Sequence, residues 1–255
     1  MTKKVCFRIL RGTPGHQYWE EFELERYSSL NIISGLMEIQ KNPINRKGEK
    51  TTPVAWEQGC LEEVCGSCSM LINGKPRQSC TALVETIIQQ TGNTTIELAP
   101  FTKFPLVRDL VVDRTRMFEA LKKVRAWVSV DGSWDTKQGG PKVSPEVQEA
   151  LYTLSTCMTC GCCSESCPQV NSKSSFMGPA AMSQLRLFNS NPAGAPEKSK
   201  RLEAALSDEG IAGCGNAQNC VKVCPKNIPL TESLSLIGRE STKQALKNIF
   251  GLSDS

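Results

Sequence analysis

Histidine is nearly missing from this chain of 255 residues: His16 stands alone. That excludes, within the chain, a two-histidine Rieske centre, a bis-histidine haem and any zinc site that needs two histidines. It also leaves no histidine base to pair with a nucleophile. His16 lies in the turn-like "GTPGHQYW" and reads as a surface residue. Long apolar runs are missing as well. No stretch approaches the roughly 18–20 residues of a membrane span, and in "MTKKVCFRIL" Arg8 breaks the apolar stretch too early for a signal peptide. A membrane role is therefore expected only through a partner. There is no excess of one charge: the net charge is +4 and the basic residues are scattered, so no nucleic-acid partner is expected. Nucleotide fingerprints are absent too, with neither GxGxxG after a strand nor a P-loop.

What is abundant is cysteine, 13 residues in all. An odd number without an export signal argues against a disulfide framework and for reduced thiolates that bind metal.

The chain has two halves of different periodicity. Up to about residue 105 it reads as β-rich. "KVCFRIL" is a short apolar strand, and "EEFELERY" alternates, with Phe22 and Leu24 inward. Gly12, Pro14 and Gly15 connect the two as a hairpin. A short amphipathic helix is expected near Asn31–Gln40, and "MLING" and "TTIELAP" are further strands. The expectation is a small mixed sheet with one helix across it. After Pro105 the period becomes helical. Met117, Leu121, Val124 and Val128 fall on one face. Ser144 is an N-cap with Pro145 at the first helical position. "SKRLEAALSDEG" is a helix closed by Gly210, and "LTESLSLIGRESTKQALKNIF" is a last one interrupted at Gly238. "DGSWDTKQGGPK" and "NSNPAGAPEKS" read as loops. The fold class is therefore α+β in two domains, residues 1–105 and 106–255.

The cysteines fall in three runs. Cys60, Cys65 and Cys68 have the spacing C-x4-C-x2-C, and Cys80 follows after a strand–turn–strand. This is the plant-type ferredoxin spacing for a [2Fe–2S] cluster. Gly59 and Gly66 allow the backbone to approach the sulfurs. A zinc site usually pairs two CxxC units, which this run does not. Glu62 and Glu63 read as solvated loop charges. Cys157, Cys160, Cys163 and Cys167 before Pro168 give C-x2-C-x2-C-x3-C-P, the bacterial ferredoxin run, whose fourth cysteine serves the other cluster. The third run supplies that partner with Cys214, Cys220, Cys224 and Pro225. The same spacing laid on Cys214 places Ala217 where a cysteine would stand. Alanine cannot ligate iron, so this centre has three thiolates and is expected to be [3Fe–4S]. The expected ligand sets are Cys157, Cys160, Cys163 and Cys224 for a [4Fe–4S] cluster, and Cys167, Cys214 and Cys220 for the [3Fe–4S] cluster. Cys6 is left as core, and Cys162 as a neighbour of ligands with some claim to the place of Cys163. No residue is assigned a catalytic role.

Three one-electron carriers in one chain make a wire. Taken with "GCLEEVCGSCSMLINGKPRQSC", "CMTCGCCSESCP", "GPAAMSQLRLF" and "CGNAQNCVKVCPKNIPL" in that order, the chain resembles, over essentially its whole length, the iron–sulfur subunit of succinate dehydrogenase and quinol:fumarate reductase. The resemblance implies an N-terminal β-grasp ferredoxin domain and a helical bacterial-ferredoxin-like domain. It implies a flavoprotein subunit whose covalent FAD oxidises succinate to fumarate. It implies electron flow through the three clusters to quinone at a membrane anchor, and activity only within the complex. It places the subunit peripherally on the cytoplasmic face of a bacterial membrane, with the N-terminal half toward the flavoprotein and the C-terminal half toward the anchor. Members that reduce ubiquinone carry a tryptophan pair soon after the cysteine matching Cys167 and a histidine after the one matching Cys214. Here "CPQVNSKSSFMGP" has no tryptophan and the second position is Gly215. That departure implies a menaquinone-type enzyme with a dihaem cytochrome b anchor. Three alternatives stay open: a fumarate reductase running the other way, a zinc-binding adaptor, and the iron–sulfur subunit of another quinone-linked dehydrogenase.

Overall fold

The computed structural model describes residues 3–129 and 142–251, so the expected loop at 131–141 lies outside the described residues. The chain divides into two compact units, Met1–Arg114 with Met158–Glu165, and Thr115–Cys157 with Ser166–Ser255.

In the first unit β1 (Lys4–Thr13) and β2 (His16–Glu25) form the expected antiparallel hairpin. Asn31 caps α1 (Ile32–Lys41), its Oδ1 accepting the Ser34 N–H at 2.8 Å. Then come β3 (Ser69–Ile72), β4 (Lys75–Gln78), α2 (Val84–Thr91), β5 (Thr95–Ala99), β6 (Leu106–Arg108) and β7 (Val111–Val112). The main sheet has the order β2-β1-β5-β3-β4, with β1 and β5 parallel and the other neighbours antiparallel. Ile32, Ile33, Leu36 and Ile39 of α1 join Phe7, Ile9, Phe22 and Ile96 of the sheet in one core, the β-grasp arrangement. The packing is close: a Cβ on Gly35 would stand 2.4 Å from the Phe7 ring. Truncating Leu36, which is fully buried, would cost about 2–5 kcal/mol. The second helix, α2, was not expected.

The strand pair β6–β7 extends this unit past residue 105. Asp109 lies between the two strands and accepts the N–H groups of Gly12 and Ala55, each at 2.8 Å. Its carboxylate also lies 3.2 Å from Arg11 Nε. Arg11 is itself buried and pairs with Glu20 at 2.6 Å. Burial alone would raise the Asp109 carboxyl. The N–H donors of Ala55 and Gly12, and then Arg11, outweigh burial and hold it below the ordinary carboxylate range. A buried ion pair, with two backbone N–H groups on its carboxylate, thus anchors residues 106–112 to β1.

In the second unit α3 (Thr115–Lys123) and α4 (Pro145–Ser155) begin the helical part; Val128 lies beyond the end of α3. Ser144 caps α4, with Pro145 at its first position. The short α5 (Cys162–Ser166) runs across the division between the units. α6 (Pro179–Ser190), α7 (Lys198–Leu206), α8 (Asn219–Lys222) and α9 (Leu230–Phe250) complete the fold. Met182, Leu185, Leu202 and Ile237 share a core with Val124 and Phe176. Arg201, fully buried, donates to the carbonyl oxygens of Gly194, Trp127 and Arg125 at 2.6, 2.9 and 3.0 Å and so ties the 3-10 helix Pro192–Glu197, which stands where a loop was expected, to the chain after α3.

Two helix ends differ from expectation. α7 stops at Ser207 rather than at Gly210, and Gly210 instead turns back so closely that a Cβ would stand 1.9 Å from the Ala205 carbonyl oxygen. α9 runs unbroken through Gly238, because tertiary packing along the helix outweighs the modest propensity cost of one glycine. Among the described residues no helix is long and apolar enough to cross a membrane. Cys6 is buried, but on the face of β1 opposite to Val5, Phe7 and Ile9, beside Arg46 and Glu21, not in the apolar core.

Candidate metal centres

The first run lies on an irregular loop. Leu61 and Glu63 both adopt left-handed backbone, at φ 64° and 58°. This alternation turns successive N–H groups inward, as in an anion-binding nest. Cys60 Sγ accepts the N–H groups of Val64, Cys65 and Glu62 at 3.2, 3.3 and 3.4 Å, and Cys65 Sγ accepts that of Cys60 at 3.3 Å. Hydrogen bonds from the Ser67 side chain, then from the N–H groups of Cys60 and Ser67, lower the Cys65 thiol to about 6. Cys68 and Cys80 are buried; burial first, and then the neighbouring Cys68, pushes the Cys80 thiol up to about 12. A Cβ on Gly59 would stand 2.8 Å from Cys65 Sγ. Exposed Glu62, and Glu63 accepting from Thr81 at 2.7 Å, stay out of the thiol group. Donors aimed at sulfur and a backbone without side chains at the closest points fit a thiolate-held cluster, which stabilises its extra electron through such N–H contacts.

Residues 158–165 of the second run pack on this loop. Gly66, at φ 75°, comes so close that a Cβ would stand 2.6 Å from the Met158 carbonyl oxygen and 2.9 Å from Cys160 Cα. The Glu165 carboxylate accepts from Thr102 Oγ1, Thr102 N and Lys103 N at 2.7, 3.0 and 3.1 Å. Cys160, Cys162 and Cys163 are all buried. The S–H of Cys162 hydrogen-bonds Cys160 and lowers that thiol to about 7. The same hydrogen bond, with burial, pushes the Cys162 thiol far up. Cys163, not Cys162, keeps the two-residue spacing from Cys160. Half-buried Cys157 and Cys224 belong to the other unit.

In the second unit a small cavity is lined by Cys167, Cys214 and Cys220, with Ala217 and Gln169 beside them. Cys220 is pushed up by burial first and then by the proximity of Cys167 and Cys214. Cys214 Sγ accepts the Asn216 N–H at 3.4 Å, and Asn219 donates to the Ser166 carbonyl oxygen at 3.2 Å. Asn216 and Gln218, flanking Ala217, are left-handed at φ 49° and 60°. Gly215 is overlain by Gln169, whose Nε2 would be 2.6 Å from a Cβ there. Three thiols around one cavity fit a cluster with three protein ligands. Among the described residues no three His, Cys, Asp or Glu side chains gather on a single ion; a multinuclear cluster instead spreads its thiolates over its corners.

Two polar residues at these centres escape sequence reading. Arg114 donates to the carbonyl oxygens of Ser67 and Gly66 at 2.8 and 2.9 Å, almost fifty residues away, and no pattern signals it. Gln78, which is 1% exposed, stands in β4 two residues before Cys80 and contacts both the first and second runs. Alternation along the strand was its only signal.

Comparison with known proteins agrees with this arrangement. The family described as "2Fe-2S iron-sulfur cluster binding domain" matches residues 6–119, and "4Fe-4S dicluster domain" matches residues 153–228. The chain is 58% identical to the succinate dehydrogenase iron-sulfur subunit of Bacillus subtilis, over 98% of this chain and 97% of that one. It is 27% identical to the fumarate reductase iron-sulfur subunit of Wolinella succinogenes, over 94% and 98%. Among solved structures, a chain of the Mycobacterium smegmatis Sdh1 complex in the apo form shares the fold with a TM-score of 0.80 at 22% identity, over 96% of this chain and 98% of that one.

Proposed function

The chain belongs to the family of succinate dehydrogenase iron–sulfur subunits, and on that premise we propose how its residues serve electron transfer between succinate and quinone. It is the electron-transfer subunit of a succinate:quinone oxidoreductase and works only within that complex. When bound, its clusters supply one-electron storage, in the order [2Fe–2S], [4Fe–4S], [3Fe–4S], between a flavoprotein's FAD and a membrane anchor.

The ligand sets follow the spacing of the runs: Cys60, Cys65, Cys68 and Cys80; Cys157, Cys160, Cys163 and Cys224; Cys167, Cys214 and Cys220. Burial supports a pairing within the first set, the outer Cys60 with Cys65 and the buried Cys68 with Cys80. The Ser67 side chain, with the N–H groups of Cys60 and Ser67, lowers the Cys65 thiol toward the thiolate that ligation requires. One observation carries the three-iron reading: Cys167, Cys214 and Cys220 line one cavity, and the side chain at the fourth place is the methyl group of Ala217.

The partners follow the family: a flavoprotein subunit with FAD and the succinate site, and a cytochrome b anchor that reaches the quinone pool from the cytoplasmic face. Gly215, where Gln169 fills the space of a histidine, supports a menaquinone enzyme whose electrons leave through haem b. Two measurements on the purified complex test this. Its optical spectrum must show haem b reduced by succinate. Succinate oxidation must exceed fumarate reduction with the native quinone; the reverse ratio would favour the fumarate reductase reading.

A further inference from the structure

The guanidinium of Arg114 grips two of the peptide groups between Cys65 and Cys68. Nη1 donates to the Gly66 carbonyl oxygen at 2.9 Å and Nη2 to the Ser67 carbonyl oxygen at 2.8 Å. Ser69 Oγ also donates to the Gly66 oxygen, at 2.6 Å. The Arg114 side chain is largely buried, and its Nε has no hydrogen-bond partner among the described residues. The Glu57 carboxylate, 3.5 Å from Nη2, is far more exposed and offsets the positive charge only in part. All of these residues belong to the first compact unit.

A peptide group is planar and trans, so its N–H points opposite to its C=O. The Gly66 oxygen shares its peptide with the Ser67 N–H, and the Ser67 oxygen shares its peptide with the Cys68 N–H. Held by their oxygens, both peptides turn those N–H groups away from the guanidinium. The Ser67 N–H, so directed, hydrogen-bonds the Cys65 sulfur. Gly66 permits the turn through its φ of 75°. An arginine stays charged throughout the range in which proteins fold, so nothing here depends on a titrating group. We propose that Arg114 is a positioning residue for the [2Fe–2S] centre, aiming backbone N–H groups of the Cys65–Cys68 loop toward the ligand sulfurs and placing a buried positive charge behind them. The proposal rests on the reading of Cys65 and Cys68 as ligands. Reduction gives the cluster one more negative charge. Donors on its sulfurs and a buried cation beside the loop both stabilise that charge, and both raise the potential. A buried cation with one N–H to spare fits beside such a group. The electron is the one passed along the wire; no bond is made or broken.

The test is a redox titration of the assembled complex, following its centres by electron paramagnetic resonance, in wild type, Arg114→Leu, Arg114→Lys and Cys68→Ser. In Arg114→Leu the electron affinity of the [2Fe–2S] centre falls about tenfold, which is about 59 mV for a one-electron couple. In Arg114→Lys it falls about threefold, because the ammonium keeps the charge but cannot hold both carbonyls in a planar fork. The three-iron centre, whose expected ligands Cys167, Cys214 and Cys220 lie in the second unit, keeps its wild-type potential. A residue that only braced the loop would change how fast the cluster is lost, not the potential of the centres that keep it. An unchanged [2Fe–2S] potential in iron-replete Arg114→Leu overturns the proposal. If that variant holds no [2Fe–2S] cluster, an unchanged potential in Arg114→Lys overturns it instead. An equal fall at the three-iron centre overturns it as well, since the effect is then not local. Cys68→Ser tests the ligand reading separately: a [2Fe–2S] signal and potential unaltered in that variant overturn the reading, and the proposal with it, whatever the Arg114 variants show.

Discussion

Arg114 Nη1 donates to the carbonyl oxygen of Gly66 at 2.9 Å, and so clamps from outside the turn that separates Cys65 from Cys68. The second arm of the same guanidinium holds the Ser67 carbonyl oxygen at 2.8 Å. Each such charged hydrogen bond contributes roughly 1.5–3 kcal/mol. Arg114→Leu should therefore free the loop and speed loss of the [2Fe–2S] cluster to a chelator at least tenfold. Arg114→Lys should fall between, because an ammonium cannot bridge both carbonyls with a planar fork. The decay of visible absorbance in chelator measures this; equal decay in all three proteins would show that the clamp is idle.

Ala217 lines the same cavity as Cys167, Cys214 and Cys220, and in the proposed ligand sets it stands where a fourth thiolate would. Ala217→Cys should admit a fourth iron, lower the potential of that centre and slow the exit of electrons. Iron content and magnetic resonance of the oxidised complex check it. A three-iron signal unchanged in the variant would show that position 217 is not the open corner.

Substitution of single ligands should sort the centres by domain. Cys65→Ser should cost the [2Fe–2S] centre alone, since all its expected ligands lie in the first 80 residues. Cys167→Ser and Cys224→Ser should each cost both remaining centres, because in the proposed ligand sets the two runs exchange their last ligands. Survival of the [4Fe–4S] signal in Cys167→Ser with loss only of the three-iron signal would refute that exchange of structural support.

Asp109 links the β6–β7 strand pair to Arg11 and Gly12. Asp109→Ala should destabilise the first unit by about 3 kcal/mol, at the low end for a broken buried pair, because Glu20 still holds Arg11. The folded-state carboxyl is held below its unfolded value of about 3.9. Its contribution is therefore full above that value and is lost as pH falls through the lower folded value. Thermal unfolding between pH 7 and pH 3 should show the gap between wild type and variant constant at first and closing only at the acid end. A gap that closes near neutrality would contradict this.

Much of the fold could be read before any coordinates. Alternation in "EEFELERY" gave β2, the apolar spacing near Asn31–Gln40 gave α1, and the Ser144 cap fixed the start of α4. α2 was missed because eight residues with only Val84 and Ile87 buried leave too few turns for a period to register. β6 and β7 were missed because they are three and two residues long and are held by Asp109, not by a pattern. The cysteine runs were legible because iron ligation demands a residue type at fixed spacing. Arg114 and Gln78 were not, since a donor to a carbonyl or a sulfur can come from any element that the fold brings near. The return of residues 158–165 to the first unit is likewise a product of packing at Gly66 and Glu165, which no local signal announces.

The most direct test of the three-cluster account is electron paramagnetic resonance of the purified membrane complex, first oxidised and then reduced in steps. Oxidised [2Fe–2S] and [4Fe–4S] centres are silent, whereas an oxidised [3Fe–4S] centre is paramagnetic. The account predicts a signal in the oxidised sample that disappears on mild reduction, followed by a [2Fe–2S] signal as reduction proceeds. An oxidised sample that holds its full iron and shows no signal would contradict the reading of Ala217 and, with it, the three-cluster wire.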